Sequence, residues 1–99
     1  MMITKSYSKN GKTCRITFEI PAGTGAEKAF LCGDFTEWEK ACVPMKRRKD
    51  GSFISSITLM TGQGYYFRYL LDEGRWENDE AADHYAANPF GSDDCVINV

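Results

Sequence analysis

Apolar and polar residues alternate with a period of two through much of this chain. In Thr13-Cys14-Arg15-Ile16-Thr17-Phe18-Glu19-Ile20 the alternation is strict, which predicts a strand with one buried face. Pro21 and Gly23 end it. Residues 28–33 predict a second strand, less alternating and so covered on both sides at its middle. Residues 52–60 predict a third, entered through the Asp50-Gly51 turn and left through Thr61-Gly62-Gln63-Gly64.

The clearest strand runs over 65–72. Tyr65, Phe67, Tyr69 and Leu71 point one way, and Tyr66, Arg68, Leu70 and Asp72 the other. Asp72-Glu73-Gly74 turns the chain into a short strand, Arg75-Trp76-Glu77. Residues 78–94 are turn-rich, punctuated by Asn88-Pro89-Phe90-Gly91, and only residues 80–87 could hold a turn or two of helix. Residues 95–99 form the last strand. Short strands joined by turns predict an all-β antiparallel fold, an immunoglobulin-like β-sandwich, as a single domain over residues 1–99. Residues 1–11 form a polar N-terminal segment free to flex.

Composition narrows the function more than the fold. Ninety-nine residues supply one modest core. A net charge of −2 offers no basic field for nucleic acid and no polycationic face for acidic membranes. The run Lys46-Arg47-Arg48-Lys49 sits at a turn and reads as solvated surface. No apolar stretch approaches the ~18 residues of a membrane span. The N-terminus lacks the apolar centre of a signal peptide, so a cytoplasmic location is expected. Cys14, Cys32, Cys42 and Cys95 form no C-x-x-C pair, which argues against zinc. Cys14 and Cys32, in apolar strand patterns, are expected to be buried reduced thiols. No cofactor or metal is expected.

Catalytic chemistry finds little support. The single histidine, His84, has no sequence-local nucleophile and reads as a surface loop residue. Carboxylates such as Asp79, Glu80, Asp83, Asp93 and Asp94 permit an acid pair by residue type, but hydrolysis of a sugar chain needs a deep groove. No phosphate-cradling Gly-rich loop is present. The chain reads as a non-enzyme.

The two tryptophans, Trp38 and Trp76, stand among charged residues. With Arg68 on the solvent side of its strand, they suggest an aromatic platform for the C–H faces of pyranose rings, with polar groups at the rim. An exposed Trp that buries half of its ~150–250 Å² gains roughly 2–3 kcal/mol gross. Two such contacts give affinities on the order of millimolar to micromolar. Half-buried tryptophan plugs over the sandwich ends explain the same pattern.

The order GDFTEW, VPM, DGSF, YYFRYLLD, WEND and NPFG before a last strand resembles carbohydrate-binding module family 48. That family takes in the N-terminal domains of isoamylases and glycogen branching enzymes and the glycogen-binding domain of the AMP-activated protein kinase β subunit. The resemblance covers about residue 12 to the C-terminus. It implies an immunoglobulin-like sandwich that stacks glucan rings on Trp38 and Trp76, with Arg68 as the basic contact and Phe90 as a wedge. Ser92 and Asp94 would bond sugar hydroxyls. The chain departs from the family pattern in three places. Asp94 replaces an Asn, Arg68 replaces the Lys of the kinase-associated modules, and the 72–74 turn is one residue longer than theirs.

The leading expectation is therefore a non-catalytic, stand-alone module for α-1,4-linked glucans such as glycogen and maltooligosaccharides. It would act in trans with a glycogen-metabolising enzyme or regulatory protein, and neither nucleic acid nor membrane is an expected partner. The alternative is a protein–protein interaction module that keeps the fold with sugar binding lost or weakened.

Overall fold

The computed structural model describes all residues except 39, 40, 73 and 90. Two antiparallel sheets face one another. The first has the order β1-β2-β6-β5, made of β1 (Met2–Tyr7), β2 (Thr13–Ile20), β6 (Phe53–Met60) and β5 (Lys46–Arg47). The second runs β4-β3-β7-β10-β9, made of β4 (Val43–Pro44), β3 (Ala29–Gly33), β7 (Gly64–Leu71), β10 (Asp93–Asn98) and β9 (His84–Ala87). A further short strand, β8 (Arg75–Glu77), also pairs with β7. β10 pairs along Gly64 to Phe67 and β8 along Tyr69 to Leu71, so both lie on the edge of β7 opposite β3. The expected all-β sandwich is what these residues form.

The period-two pattern is realised where it is strict. Cys14, Ile16, Phe18 and Ile20 are buried along β2, and Phe67, Tyr69 and Leu71 along β7. The two sheets meet through aromatic edges. The Phe18 ring lies 5.1 Å from Phe67 and 6.4 Å from Tyr69, both edge-on, a geometry that adds about 0.5–1.5 kcal/mol per pair beyond area burial.

A buried acid anchors the segment after β8 to this core. Asp79 is fully buried, and its carboxylate accepts from the Tyr69 hydroxyl at 2.6 Å and from the Ala81 N–H at 2.8 Å. Its own N–H points at Cys95 Sγ, 3.1 Å away, and its carbonyl accepts from Tyr85 Oη at 2.6 Å. Burial, reinforced by the Asp79 carboxylate, pushes the Tyr69 phenol well above its ordinary range. Burial likewise raises the Cys95 thiol to about 11.

Three expectations are corrected. The polar residues 1–11 supply β1, whose six residues pair with β2 from Met2↔Glu19 to Tyr7↔Cys14. With Ile3 as the main inward apolar side chain, the pairing rests on backbone bonds to β2 more than on burial. The 80–87 stretch forms no helix; β9 pairs with β10 and His84 sits exposed on it. Cys32 is no thiol, since it is bonded to Cys42, whereas Cys14 and Cys95 are free and buried. In the basic run, Lys46 and Arg47 pair with β6 and stay exposed, and Arg48 to Ser52 form the turn.

One polar cluster stitches the two sheets together. Lys5 of β1 donates to Asp83 Oδ2 at 2.8 Å and to the Asn98 carbonyl at 2.7 Å, while the Asn98 N–H donates to the same Asp83 oxygen at 2.7 Å. Burial alone would raise the Asp83 carboxyl, but the hydrogen bonds from Lys5 and Asn98 outweigh it and hold it below its ordinary value. A carboxyl lowered in the folded state contributes stability above its unfolded value, and that stability is lost as pH falls through the folded value. Urea unfolding between about pH 5 and pH 2 is therefore expected to show a steeper loss for the parent than for Asp83→Asn. Parallel curves would remove Asp83 from the acid response.

Candidate functional site

The outward face of β7 carries Tyr66, Arg68 and Leu70, alternating with the core residues. Trp76 is paired opposite Leu70, and Cys32 opposite Arg68. On the β10 side, Val96 is opposite Tyr66, and Asp94 lies two residues earlier on the same face. These strands form the floor of an open groove of about 580 Å³, whose lining includes Trp38, Tyr66, Arg68 and Trp76. The turn between β9 and β10 closes one side with Asn88, Pro89 and Ser92. The volume falls within the range of about 300–1,000 Å³ that suits small-molecule sites.

Trp38 reaches the groove from the β3–β4 loop, and the loop is built to hold it there. At Gly33 a Cβ would lie 2.4 Å from the Tyr66 carbonyl oxygen, so only glycine lets the chain leave β3 against β7. A single 3-10 turn, Asp34–Thr36, follows. The buried Thr36 hydroxyl accepts from the Gly33 N–H at 2.9 Å and stands 3.0 Å from the Gly33 carbonyl and 3.2 Å from that of Trp38. Glu37 and Trp38 are both left-handed, with φ of 54° and 57°. Such a backbone costs roughly 1–2 kcal/mol per non-glycine residue and persists only where its surroundings impose it.

Asp34 imposes the position of the ring. Its Oδ1 accepts from the Trp38 indole N–H at 3.2 Å, and its Oδ2 from the Tyr66 backbone N–H at 2.9 Å. One carboxylate thus clips the indole edge to β7 and leaves the ring half-buried at the groove. The Cys32–Cys42 disulfide, with Cα atoms 4.6 Å apart, closes the base of the same loop. Because Cys32 faces the same way as Arg68, the bridge lies on the groove side of the sheet.

Arg68 occupies the middle. Its Nε donates to Asn78 Oδ1 at 2.9 Å and its Nη1 to Ser92 Oγ at 3.4 Å. Its guanidinium carbon lies 5.6 Å from the centre of the Trp76 ring, a cation–π contact. It forms no ion pair among the described residues, so its charge and its remaining N–H donors face the groove. Behind Ser92, Asn88 Nδ2 donates to Ser92 Oγ at 2.9 Å and to Asp94 Oδ1 at 3.2 Å. Asn78 Nδ2 is held by the Asp93 carbonyl at 3.0 Å. Asp94 is largely buried, at 8% exposed.

Trp38, Arg68, Trp76, Ser92 and Asp94, singled out from the sequence, all line this one groove. Phe90 lies outside the described residues. Both tryptophans are half-buried, with neither indole lost to the core. The sequence reading missed Asp34, Asn78 and Asn88, ordinary turn residues whose roles depend on partners far along the chain. It saw Tyr66 only as a neighbour of Arg68.

An open groove with flat aromatic walls, a central cation and a polar rim, set on one face of a β-sandwich, has the build of a carbohydrate-binding module. The chain matches carbohydrate-binding module 48 (isoamylase N-terminal domain) over residues 7–86 and belongs to that family. The matched span contains Trp38, Arg68 and Trp76, while Asn88, Ser92 and Asp94 lie beyond it. The chain is also similar to the 1,4-alpha-glucan branching enzyme GlgB of Aquifex aeolicus (strain VF5), 39% identical over 75 residues. That alignment covers 73% of this chain, which spans only 11% of the length of the enzyme.

The disulfide yields a test. It closes a loop with a sequence separation of 10, for which chain entropy gives roughly 2–3 kcal/mol. Cys42→Ser, or reduction with dithiothreitol, is expected to lower the unfolding free energy by about that amount, read as an earlier urea midpoint. Reductant should then leave Cys42→Ser itself unchanged. Equal midpoints for oxidised and reduced parent would contradict the bridge.

Proposed function

We propose that this protein binds α-1,4-linked glucans, such as glycogen and maltooligosaccharides, by stacking sugar rings on Trp38 and Trp76. The observation that carries the reading is the convergence on one groove of both half-buried indoles and Arg68, which has no ion pair among the described residues. A glucan chain presents alternating apolar C–H faces and hydroxyl edges. The indoles suit the faces; Arg68 donates to hydroxyl oxygens, and Asp94 accepts from hydroxyl protons. A planar guanidinium can reach two oxygens at once, which an ammonium at the same place could not do in fixed geometry. Membership of the family and likeness to a branching enzyme favour this substrate class.

The same geometry favours binding over hydrolysis. Asp83, one of the carboxylates that permit an acid pair by residue type, is taken up by Lys5 and Asn98. Asp94 is the only carboxylate among the described lining residues. Acting without its own chemistry, the module would bring glucan to an enzyme or regulatory protein. A cytoplasmic setting is part of this proposal, and there the Cys32–Cys42 bond would have to persist against thiol reductants.

Electrophoresis through glycogen-containing gels should retard the parent protein, and Trp38→Ala or Trp76→Ala should each weaken binding by about tenfold or more. Unretarded migration of the parent sinks the glucan reading. A second reading, docking to a protein partner, draws on the matched region being a small part of a much longer enzyme. Recovery of one stoichiometric partner, with Trp fluorescence unmoved by maltoheptaose, would favour it.

A further inference from the structure

We propose that Tyr66 is a third sugar-contacting ring, and that it makes the groove favour longer glucan chains over short ones. This rests on the glucan reading above and adds a third ring at the Trp38 end of the groove, opposite Trp76.

The exposure of Tyr66 is the first reason. It is 42% exposed on a strand whose alternate residues, Phe67, Tyr69 and Leu71, are buried at 0 to 1%. Its hydroxyl is the second. Tyr65, Tyr69 and Tyr85 each donate to an acceptor within the protein, at Met60 O, Asp79 Oδ2 and Asp79 O respectively. Tyr85, at 46% exposed, thus has a structural use for its polar end. Tyr66 is nearly as exposed and lines the groove, yet its hydroxyl has no hydrogen-bond partner among the described residues. An aromatic ring with an uncommitted hydroxyl, facing into a groove, is equipped to stack on a sugar and bond its edge.

Position turns this into a statement about chain length. Tyr66, Arg68 and Leu70 succeed one another on one face of β7, and Trp76 is opposite Leu70. At ~3.3–3.4 Å per residue, Tyr66 is ~7 Å from Arg68 and ~13 Å from the Leu70–Trp76 rung along the strand. Arg68 therefore lies between two aromatic contacts. Asp34 fixes the other end, since it holds both the Trp38 indole and the Tyr66 backbone. Trp38 and Tyr66 are gathered at one end of the groove and Trp76 at the other. A short oligosaccharide seated on Trp76 and Arg68 leaves Tyr66 untouched; a longer chain must cross it.

Isothermal titration of parent, Tyr66→Leu and Tyr66→Phe with maltotriose and maltoheptaose tests this. Leucine keeps apolar bulk beside Val96 while removing the flat ring, and unfolding midpoints check that each variant folds. Tyr66→Leu is expected to weaken maltoheptaose binding by about tenfold and maltotriose binding by no more than about twofold. Tyr66→Phe should restore most of what leucine loses. Equal effects on both sugars, or no effect on either, overturn the role of Tyr66 while the glucan reading stands. Failure of the parent to bind either sugar overturns both.

Discussion

The pleat of β7 is the constraint on which both halves of this molecule depend. Every second residue, Phe67, Tyr69 and Leu71, enters the core, and the residues between them, Tyr66, Arg68 and Leu70, face the groove. Core and site are therefore set by a single register. A slip of one residue would exchange the two faces, putting a guanidinium among Phe18, Ile16 and Leu31. The cost of burying that charge unpaired holds the register firmly, and with it the spacing of the groove. Packing in the core thus acts directly on the geometry of recognition.

The remaining parts of the site are brought to this strand by loops, each with its own restraint. Trp38 stands on two consecutive left-handed residues, a conformation that isolated chain would abandon. Gly33, Thr36, Asp34 and the Cys32–Cys42 bridge together hold it. The segment after Trp76 is fastened by buried Asp79, which links the Tyr69 hydroxyl to the Cys95 strand. The β9–β10 turn is held by Asn88 and Ser92. Before any ligand arrives, ordering of these loops has been met by protein contacts, which lowers the entropy lost on binding.

How much of this could be read from the chain depended on whether the signal was local. Strands β2 and β7 were legible because their alternation is strict and their inward residues large. The groove tryptophans and Arg68 were legible as polar-flanked aromatics beside an outward cation, and the family motifs ordered them. β9 was not legible, since Ala81-Ala82 and Ala86-Ala87 favour helix locally, while pairing with β10 decides otherwise. β1 carries too few apolar residues to announce itself. The disulfide was hidden for another reason: Cys32 and Cys42 meet only after the Trp38 loop has folded back, and a spacing of that length names no partner.

One sheet carries the whole of the groove. Every described residue that lines the groove comes from β7 to β10 or from the loops of their sheet, and β1, β2, β5 and β6 contribute none. The molecule thus has a front that carries the groove and a back set with Thr4, Arg15, Thr17, Ser56 and Thr58. With sheets about 10 Å apart, a large body could be attached to the back without shadowing the front. Polymer and passenger would then ride on opposite sides of the same small sandwich, each replaceable without redesign of the other.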